Sequence, residues 1–426
     1  MTRAFWWLAS PLLFFGLFSS ATALRASGLR AGDIVAICGD SITEQSLYSA
    51  FIETYLLACQ PVRDVRTHQF GLSGERSLEF LFRMESDVMR FRPTVATTCY
   101  GMNDGGYAPV NPRGQLCYRR AMTEIVQRLK SGGVRLIVVG SPGAVDSDAF
   151  GSGGLSGISA EEYNTRTLRG LAGIARDVAA EQGVAYADVH ELFCEIMAKA
   201  KAKFGPRYHV AGADGVHPAA NGHLIIAYAF LKALGCDGDV GTVEIDLAGN
   251  RATASDGHRV LSSTADAIEI ESTRYPFCFY GDPGDPDSTR GTLEFLPFNA
   301  ELNRLRLMVT GASTTRLKVT WGEASKIFLA EDLARGVNLA AEFLDNPFSE
   351  PFRAVESAVR KQQQYETLGI RGILGGFESS MAQSHDEQNA PDQPADGIVR
   401  NARALEAAAR AAVKPVRHWL RISPVP

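Results

Sequence analysis

The sequence predicts an α/β protein: a three-layer α/β/α domain built on a five-stranded parallel sheet, followed by a smaller β-rich module and C-terminal helices. Three observations carry this reading. From residue 33 to about 235, short β-rich runs alternate with segments of helical spacing, and such alternation gives a parallel sheet with helices on both faces. The runs near residues 94 and 134 are continuous and apolar, as in strands covered on both sides. Beyond about 240 the alternation stops, and short strand-like runs follow between turn-rich stretches.

The first element lies outside the fold. Met1–Arg3 carries one arginine, Ala4–Phe18 has no charge, and Ser19–Ala23 ends in an A-x-A pattern. This is the layout of a signal peptide, with cleavage expected after Ala23. The uncharged stretch is shorter than the roughly 20 apolar residues a membrane span needs, and Pro11 interrupts it. The mature chain is therefore expected to be secreted or periplasmic, without stable membrane insertion.

Strands are expected at Asp33–Cys38, Val62–Phe70, Thr94–Tyr100, Val134–Gly140 and Val184–Asp188. Helices are expected at Glu44–Cys59, Ser77–Arg90, Gln115–Lys130, Glu161–Gln182, Glu191–Lys203 and Asn221–Leu234. Together they place the first domain at 30–237. A β-rich module at 240–345 is drawn from runs at Val243–Leu247, Ala267–Glu271, Phe277–Tyr280, Leu305–Val309 and Arg316–Trp321, with the turn-rich Gly281–Ser288 among them. Residues 346–426 read as helical, with helices at Glu350–Thr367 and Asn401–Val413. The stretch 379–397 is polar and poor in large apolar residues, and reads as a flexible linker.

The chain of 426 residues is 45% hydrophobic and 21% charged, with a net charge of −5. That balance has no basic excess to attract nucleic acid or an anionic membrane surface. The seven cysteines include no C-x-x-C, and their odd number leaves at least one unpaired within a monomer. Cys38 and Cys99 sit in apolar runs as small buried hydrophobes. Cys236 and Cys278 are the candidate disulfide pair. No motif specifies an oligomeric state.

In open α/β sheets, sites form beyond the carboxyl ends of the strands. GDSIT (Gly39–Thr43) occupies that place after the first run. Ser41 there is either a nucleophile or part of a turn that caps a helix. A nucleophilic serine needs a base, a group that orients the base, and donors for the developing oxyanion. His217 in DGVHP is the candidate base, with Asp214 three residues before it to fix the ring tautomer. The same five residues also suit a turn that opens a helix. His190, which follows Asp188, is the fallback base. Gly74 in FGLSGERS offers a backbone N–H, and Asn103 in YGMNDGG offers a side-chain amide. Either stretch also serves as an ordinary strand-to-helix turn. No G-x-S-x-G occurs, since Thr43 stands where that pattern wants glycine. Metal-ligand clusters, a phosphate-cradling G-x-x-x-x-G-K and a dinucleotide fingerprint are likewise absent from the sequence.

Taken together, Ser41, Gly74, Asn103, Asp214 and His217 resemble the four blocks of the SGNH (GDSL-type) hydrolase family. They come in the family's order, across residues 33–235. The resemblance implies a flavodoxin-like sheet and hydrolysis of carboxylic esters through an acyl-serine, with no metal or cofactor. It implies Ser41 as nucleophile, His217 as base and then acid, and Asp214 as its orienting group. The oxyanion hole would comprise the N–H groups of Ser41 and Gly74 and the Asn103 amide. The C-terminal half resembles extensions found on secreted bacterial members.

Family members act on acetylated polysaccharides, lipids, thioesters and simple esters. The Gly/Ser-rich stretch Val145–Ser159 follows the fourth strand, where it would shape the substrate pocket. Its small polar residues suit a hydrated sugar better than a long acyl chain. The expected activity is that of a carbohydrate O-acetylesterase. A lipase, lysophospholipase or thioesterase would use the same machinery. A non-catalytic protein that holds glycans or protein partners through the β module is the rival class, and the complete five-residue set argues against it. Trp321 and Tyr280 are candidate sugar-stacking aromatics, although strand aromatics more often lie in a core.

Overall fold

The computed structural model describes residues 28–425, apart from 61, 148, 151–156, 265–266 and 370–392. The expected signal peptide and residues 379–392 of the polar stretch lie outside the described residues. Residues 393–397 of that stretch open the helix Gln393–Ala411.

Strands β1 (Ile34–Gly39), β2 (Arg66–Gly71), β3 (Val95–Cys99), β4 (Leu136–Gly140) and β5 (Ala185–Ala187) form one sheet in the order β2-β1-β3-β4-β5. Every pairing is parallel. This is the flavodoxin-like order, whose topological switch lies between β1 and β3. Alternate residues of each strand enter different cores. Val35, Ile37, Leu136 and Val138 face the side of helices Tyr48–Ala58, Val189–Phe204 and Ala220–Ala233. Ala36, Cys38, Ile137 and Val139 face helices Ser77–Arg83, Pro112–Ser131 and Arg169–Glu181. Burial on both faces explains why these strands read as unbroken apolar runs.

The later strands form two further sheets. One contains β6 (Asp239–Asp246), β7 (Arg251–Ala254), β10 (Arg304–Thr310) and β13 (Val337–Asn338), in the order β13-β10-β6-β7. The other contains β8 (His258–Ser263), β9 (Ile268–Ser272), β11 (Arg316–Trp321), β12 (Ala324–Leu329) and β14 (Val416–Pro424), in the order β12-β11-β14-β9-β8. Val243, Leu307, Ile270, Val319 and Leu420 from these sheets share one continuous core with Val35 and Ile37 of the first sheet.

Three expectations need correction. Phe277–Tyr280 is extended and largely buried but joins no sheet; the Asn303 side chain bonds the Phe277 N–H (2.7 Å) and C=O (2.9 Å) in place of a neighbouring strand. Residues 416–424, inside the stretch read as helical, are β14. All seven cysteines are free thiols, so Cys236 and Cys278 are not bonded to each other.

Helix Ser349–Gly369 leaves the β module and packs on the first domain. Its Gln363 bonds Ser49 (2.7 Å) and Glu53 (2.7 Å), and Gln362 donates to the Thr67 carbonyl (2.8 Å). Glu366 accepts from the Gln69 N–H (2.9 Å) and contacts His68 (2.7 Å). These contacts satisfy β2, an edge strand whose backbone groups would otherwise invite pairing with another chain.

Candidate active site

Ser41 is the first residue of the short helix Ser41–Glu44, directly beyond β1. Asp40 caps that helix, its Oδ1 accepting from the Ile42 N–H at 3.0 Å. Serine and turn are therefore both present: the cap fixes where Ser41 points. Burial pushes the Asp40 carboxyl up to about 7, against the Ile42 bond, and Asp104 and Glu75 add to the rise.

Ser41 Oγ lies 2.8 Å from His217 Nε2, and His217 Nδ1 lies 2.6 Å from Asp214 Oδ2. The carboxylate holds the proton on Nδ1, which leaves Nε2 to accept from the serine. Asp214 is itself fixed by the N–H groups of Val216 (2.9 Å) and His217 (2.8 Å). Burial alone would raise its pKa, but these bonds and the His217 ring hold it below the usual carboxylate range. The loop depends on Gly215, whose φ is +79° and whose missing side chain leaves room for Ala149 and Phe150. The Asp146 N–H donates to the Gly215 carbonyl (2.9 Å), and the buried Asp146 carboxylate pairs with Lys201 (2.6 Å). The start of the Val145–Ser159 stretch thus packs on the histidine loop; its residues 148 and 151–156 lie outside the described residues.

The Leu72 N–H bonds the Gly39 carbonyl (3.1 Å), which brings the loop after β2 to the serine. Gly74 in that loop has φ +77°, and a Cβ there would meet open space. The backbone angle, not crowding, is what calls for glycine. Asn103 Nδ2 donates to the Glu75 carbonyl (3.1 Å), and Asn103 Oδ1 accepts from Tyr107 (3.3 Å). These partners fix the amide and leave one of its hydrogens unused. The N–H groups of Ser41 and Gly74 also have no acceptor among the described residues.

Several residues not singled out from the sequence hold this arrangement. Arg83 grips the Glu75 carboxylate with two nitrogens (2.5 and 2.6 Å), and Tyr100 donates to it (2.8 Å). Burial lifts the Glu75 carboxyl above its usual range, and the Arg83 and Tyr100 contacts oppose this. Asp104 accepts from the Ser77 hydroxyl (2.5 Å) and N–H (3.1 Å), tying the Asn103 loop to the Gly74 loop. Burial pushes the Asp104 carboxyl up to about 6. Tyr107, Phe150 and Tyr163 form an aromatic wall with ring centroids 5.5–6.3 Å apart. The Tyr107 hydroxyl, donating to Asn103 Oδ1, places this wall beside the site. Glu75 and Asp104 adjoin Gly74 and Asn103 in the sequence, and that adjacency was the available signal.

The fallback base is not in the site. His190 is fully buried, and its Nδ1 contacts the Gly143 carbonyl at 2.8 Å. His223 is buried too, bonded by the Tyr48 N–H (3.2 Å) and Gln45 (3.1 Å), and burial lowers its pKa to about 3. Trp321 is core, donating to His418 at 3.1 Å, whereas Tyr280 is half-buried beside a groove. Among the described residues no group of three His, Cys, Asp or Glu side chains is placed to hold a metal ion, and no helix is long and apolar enough to cross a membrane.

Residues 37–225 match the GDSL-like Lipase/Acylhydrolase family. Among solved structures, a gut microbial diltiazem-metabolizing enzyme is similar over 95% of this chain and all of its own, at 21% identity and a TM-score of 0.73. The two therefore share a fold across both halves. An acetylxylan esterase from Geobacillus stearothermophilus matches 49% of this chain and 97% of its own, at 21% identity and a TM-score of 0.39. An alpha/beta hydrolase enzyme from the metagenome of Lake Arreo, Spain, matches the same shares at 23% identity and a TM-score of 0.40. No curated protein matches the chain.

Proposed function

Residues 37–225 are a GDSL-like lipase/acylhydrolase domain and the chain is a carboxylic ester hydrolase; on that premise we propose that it removes O-acetyl groups from carbohydrate, with Ser41 as its nucleophile. The observation that carries the residue roles is the unbroken line from Ser41 Oγ through the His217 ring to Asp214, at 2.8 and 2.6 Å. Ser41 attacks the acyl carbon while His217 Nε2 takes its proton. The carbonyl oxygen, now negative, is held by the N–H groups of Ser41 and Gly74 and the free hydrogen of the Asn103 amide. His217 returns the proton to the leaving alcohol. Water, activated by the same ring, then cleaves the acyl-serine. Asp214 keeps the ring in the tautomer that can accept.

The aromatic wall supports the carbohydrate reading. Tyr107 and Phe150 are only half-buried, and flat rings of this kind cover the apolar face of a sugar. The N-terminal segment supports export, which would put the substrate in the periplasm or outside the cell. The test is acyl release by the full chain and its Ser41→Ala variant, on p-nitrophenyl esters of increasing length and on acetylated xylan. The expected result is preference for acetyl and a loss of about 10⁴-fold or more in Ser41→Ala. Equal rates in the two proteins would remove Ser41 from its role. A preference for long acyl chains would favour a lipase or lysophospholipase, and selective thioester cleavage a thioesterase.

A further inference from the structure

We propose that the groove between helix Ser349–Gly369 and the Tyr280 loop is an anion-binding subsite that takes a carboxylate-bearing (uronic acid) residue of the glycan; the proposal rests on the carbohydrate reading above. The groove has a volume of about 730 Å³. One face of the helix lines it with Arg353, Ser357, Arg360, Lys361 and Gln364, and Tyr280 stands opposite. The other face buries Phe352, Val355, Val359 and Gln363, so packing fixes which side chains look outward.

The lining is cationic. Its carboxylate is Glu356, which Arg360 engages at 2.9 and 3.0 Å. Arg353 and Lys361 are exposed and have no ion-pair partner among the described residues. Asp345, within electrostatic reach of Arg353, is held by Arg290 at 2.6 Å. Asp287 is the further acid near Tyr280. Two unpaired cations, a guanidinium and a tyrosine ring make a site for a charged sugar. The arginine fork matches a carboxylate, and the ring covers the pyranose face.

Contacts connect the elements that line the groove to those that carry the candidate triad. Arg360 lies over the Phe51 ring, 6.0 Å from its centroid, on the helix that follows the Ser41 turn. The Gln45 N–H donates to the Ser41 carbonyl (3.0 Å), and the Gln45 side chain bonds His223. His223 feels the charges of both Arg360 and His217. Pro286, in the loop after Tyr280, accepts from the Asn221 N–H (3.1 Å), four residues past His217. In the proposed mode a glycan seated on Ser41 extends along these elements to the groove.

The test is direct binding, which does not depend on turnover. Tetragalacturonate and neutral xylotetraose are titrated into the full chain and into an Arg353→Ala/Lys361→Ala variant, both positions being exposed. The expected result is at least tenfold tighter binding of the charged sugar at low salt. That advantage should disappear in the variant and at 0.5 M salt, where exposed charges are screened. Equal affinity for the two sugars, or an unchanged preference in the variant, would overturn the subsite. Absence of acyl release from acetylated xylan by the full chain would instead strike the carbohydrate-esterase reading, so the two readings fail separately.

Discussion

Among the described residues two serine–histidine arrangements have nearly the same dimensions and different consequences. In the first domain Ser41 sits 2.8 Å from His217. In the β module Ser272 sits 2.7 Å from His258 and 2.9 Å from His418. The second set is a closed relay. The Trp321 N–H donates to His418, His418 to Ser272, Ser272 to His258, and His258 to the Val240 carbonyl (3.1, 2.9, 2.7 and 3.0 Å). Tryptophan can only donate, so it sets the direction of the whole chain. Every lone pair that could act as a base is already used, and Ser272 is fully buried. Around Ser41, by contrast, the ring is poised by a carboxylate, the serine is partly exposed, and donors stand without acceptors among the described residues. Bond length does not distinguish the proposed nucleophile from a core contact; spare hydrogen-bonding capacity and access do.

Substitution should separate the two sets most sharply. Ser41→Ala is expected to lower kcat/KM by about 10⁴-fold with little change in stability. Ser272→Ala should leave kcat/KM within about threefold and cost roughly 1–3 kcal/mol in urea unfolding, because it breaks the relay and orphans a buried ring. Activity lost on changing Ser272 alone, in a folded protein, would collapse the distinction. Next in size, Asn103→Ala should cut kcat by about 10²–10³-fold while KM stays nearly constant, as for loss of one oxyanion donor. A change confined to KM would assign Asn103 to substrate binding instead.

Glu75→Ala tests the support beneath those donors. It leaves the Arg83 guanidinium buried with its main partner gone, and should destabilise by roughly 3 kcal/mol. Glu75→Gln, which keeps the size and part of the bonding, should fall between that variant and the parent in both stability and kcat. If Glu75→Ala matched the parent in both, the pair would have no positioning role. The smallest effect concerns pH. Burial, with His258 nearby, lowers the His418 pKa to about 3, below the unfolded value of about 6.5. Its neutral ring therefore contributes stability that is fully present above pH 6.5 and lost as the pH falls toward 3. Between pH 7 and 5 this amounts to roughly 2 kcal/mol. His418→Gln has no titrating ring, so its stability should fall less steeply over that interval; an equal slope would contradict the relay.

Much of the first region was legible because its physics is local. Strands covered on both faces spell out apolar runs, and Ser41, Gly74, Asn103, Asp214 and His217 each follow such a run or open a helix. The second region hides its logic in distance. VRHWLRISP buries His418, Leu420 and Ile422 on one face, and the histidine masks the period-2 pattern of a strand. Phe277–Tyr280 misleads in the opposite sense, since its apolar side chains fill the core while Asn303 replaces the sheet neighbour. Glu75 and Arg83 look like ordinary surface charges until the loop and the helix fold together. The Ser272 relay joins residues from five strands and cannot be read from any one of them.

The place of β14 sets an order of events during synthesis. It lies between β11 and β9, pairing antiparallel with both. Until residues 416–424 have left the ribosome, the β8–β9 and β11–β12 hairpins each present an unpaired inner edge, with Ile270 and Val319 uncovered beside it. Open edges of that kind are where nascent chains pair with the wrong partner. The first domain has its five strands by residue 187 and helix Ala220–Ala233 soon after, with the β2 edge covered once Ser349–Gly369 follows, all ahead of β14, while the β module must wait. A chain stalled or clipped before Val416 would thus be expected to carry a formed hydrolase sheet attached to an aggregation-prone half.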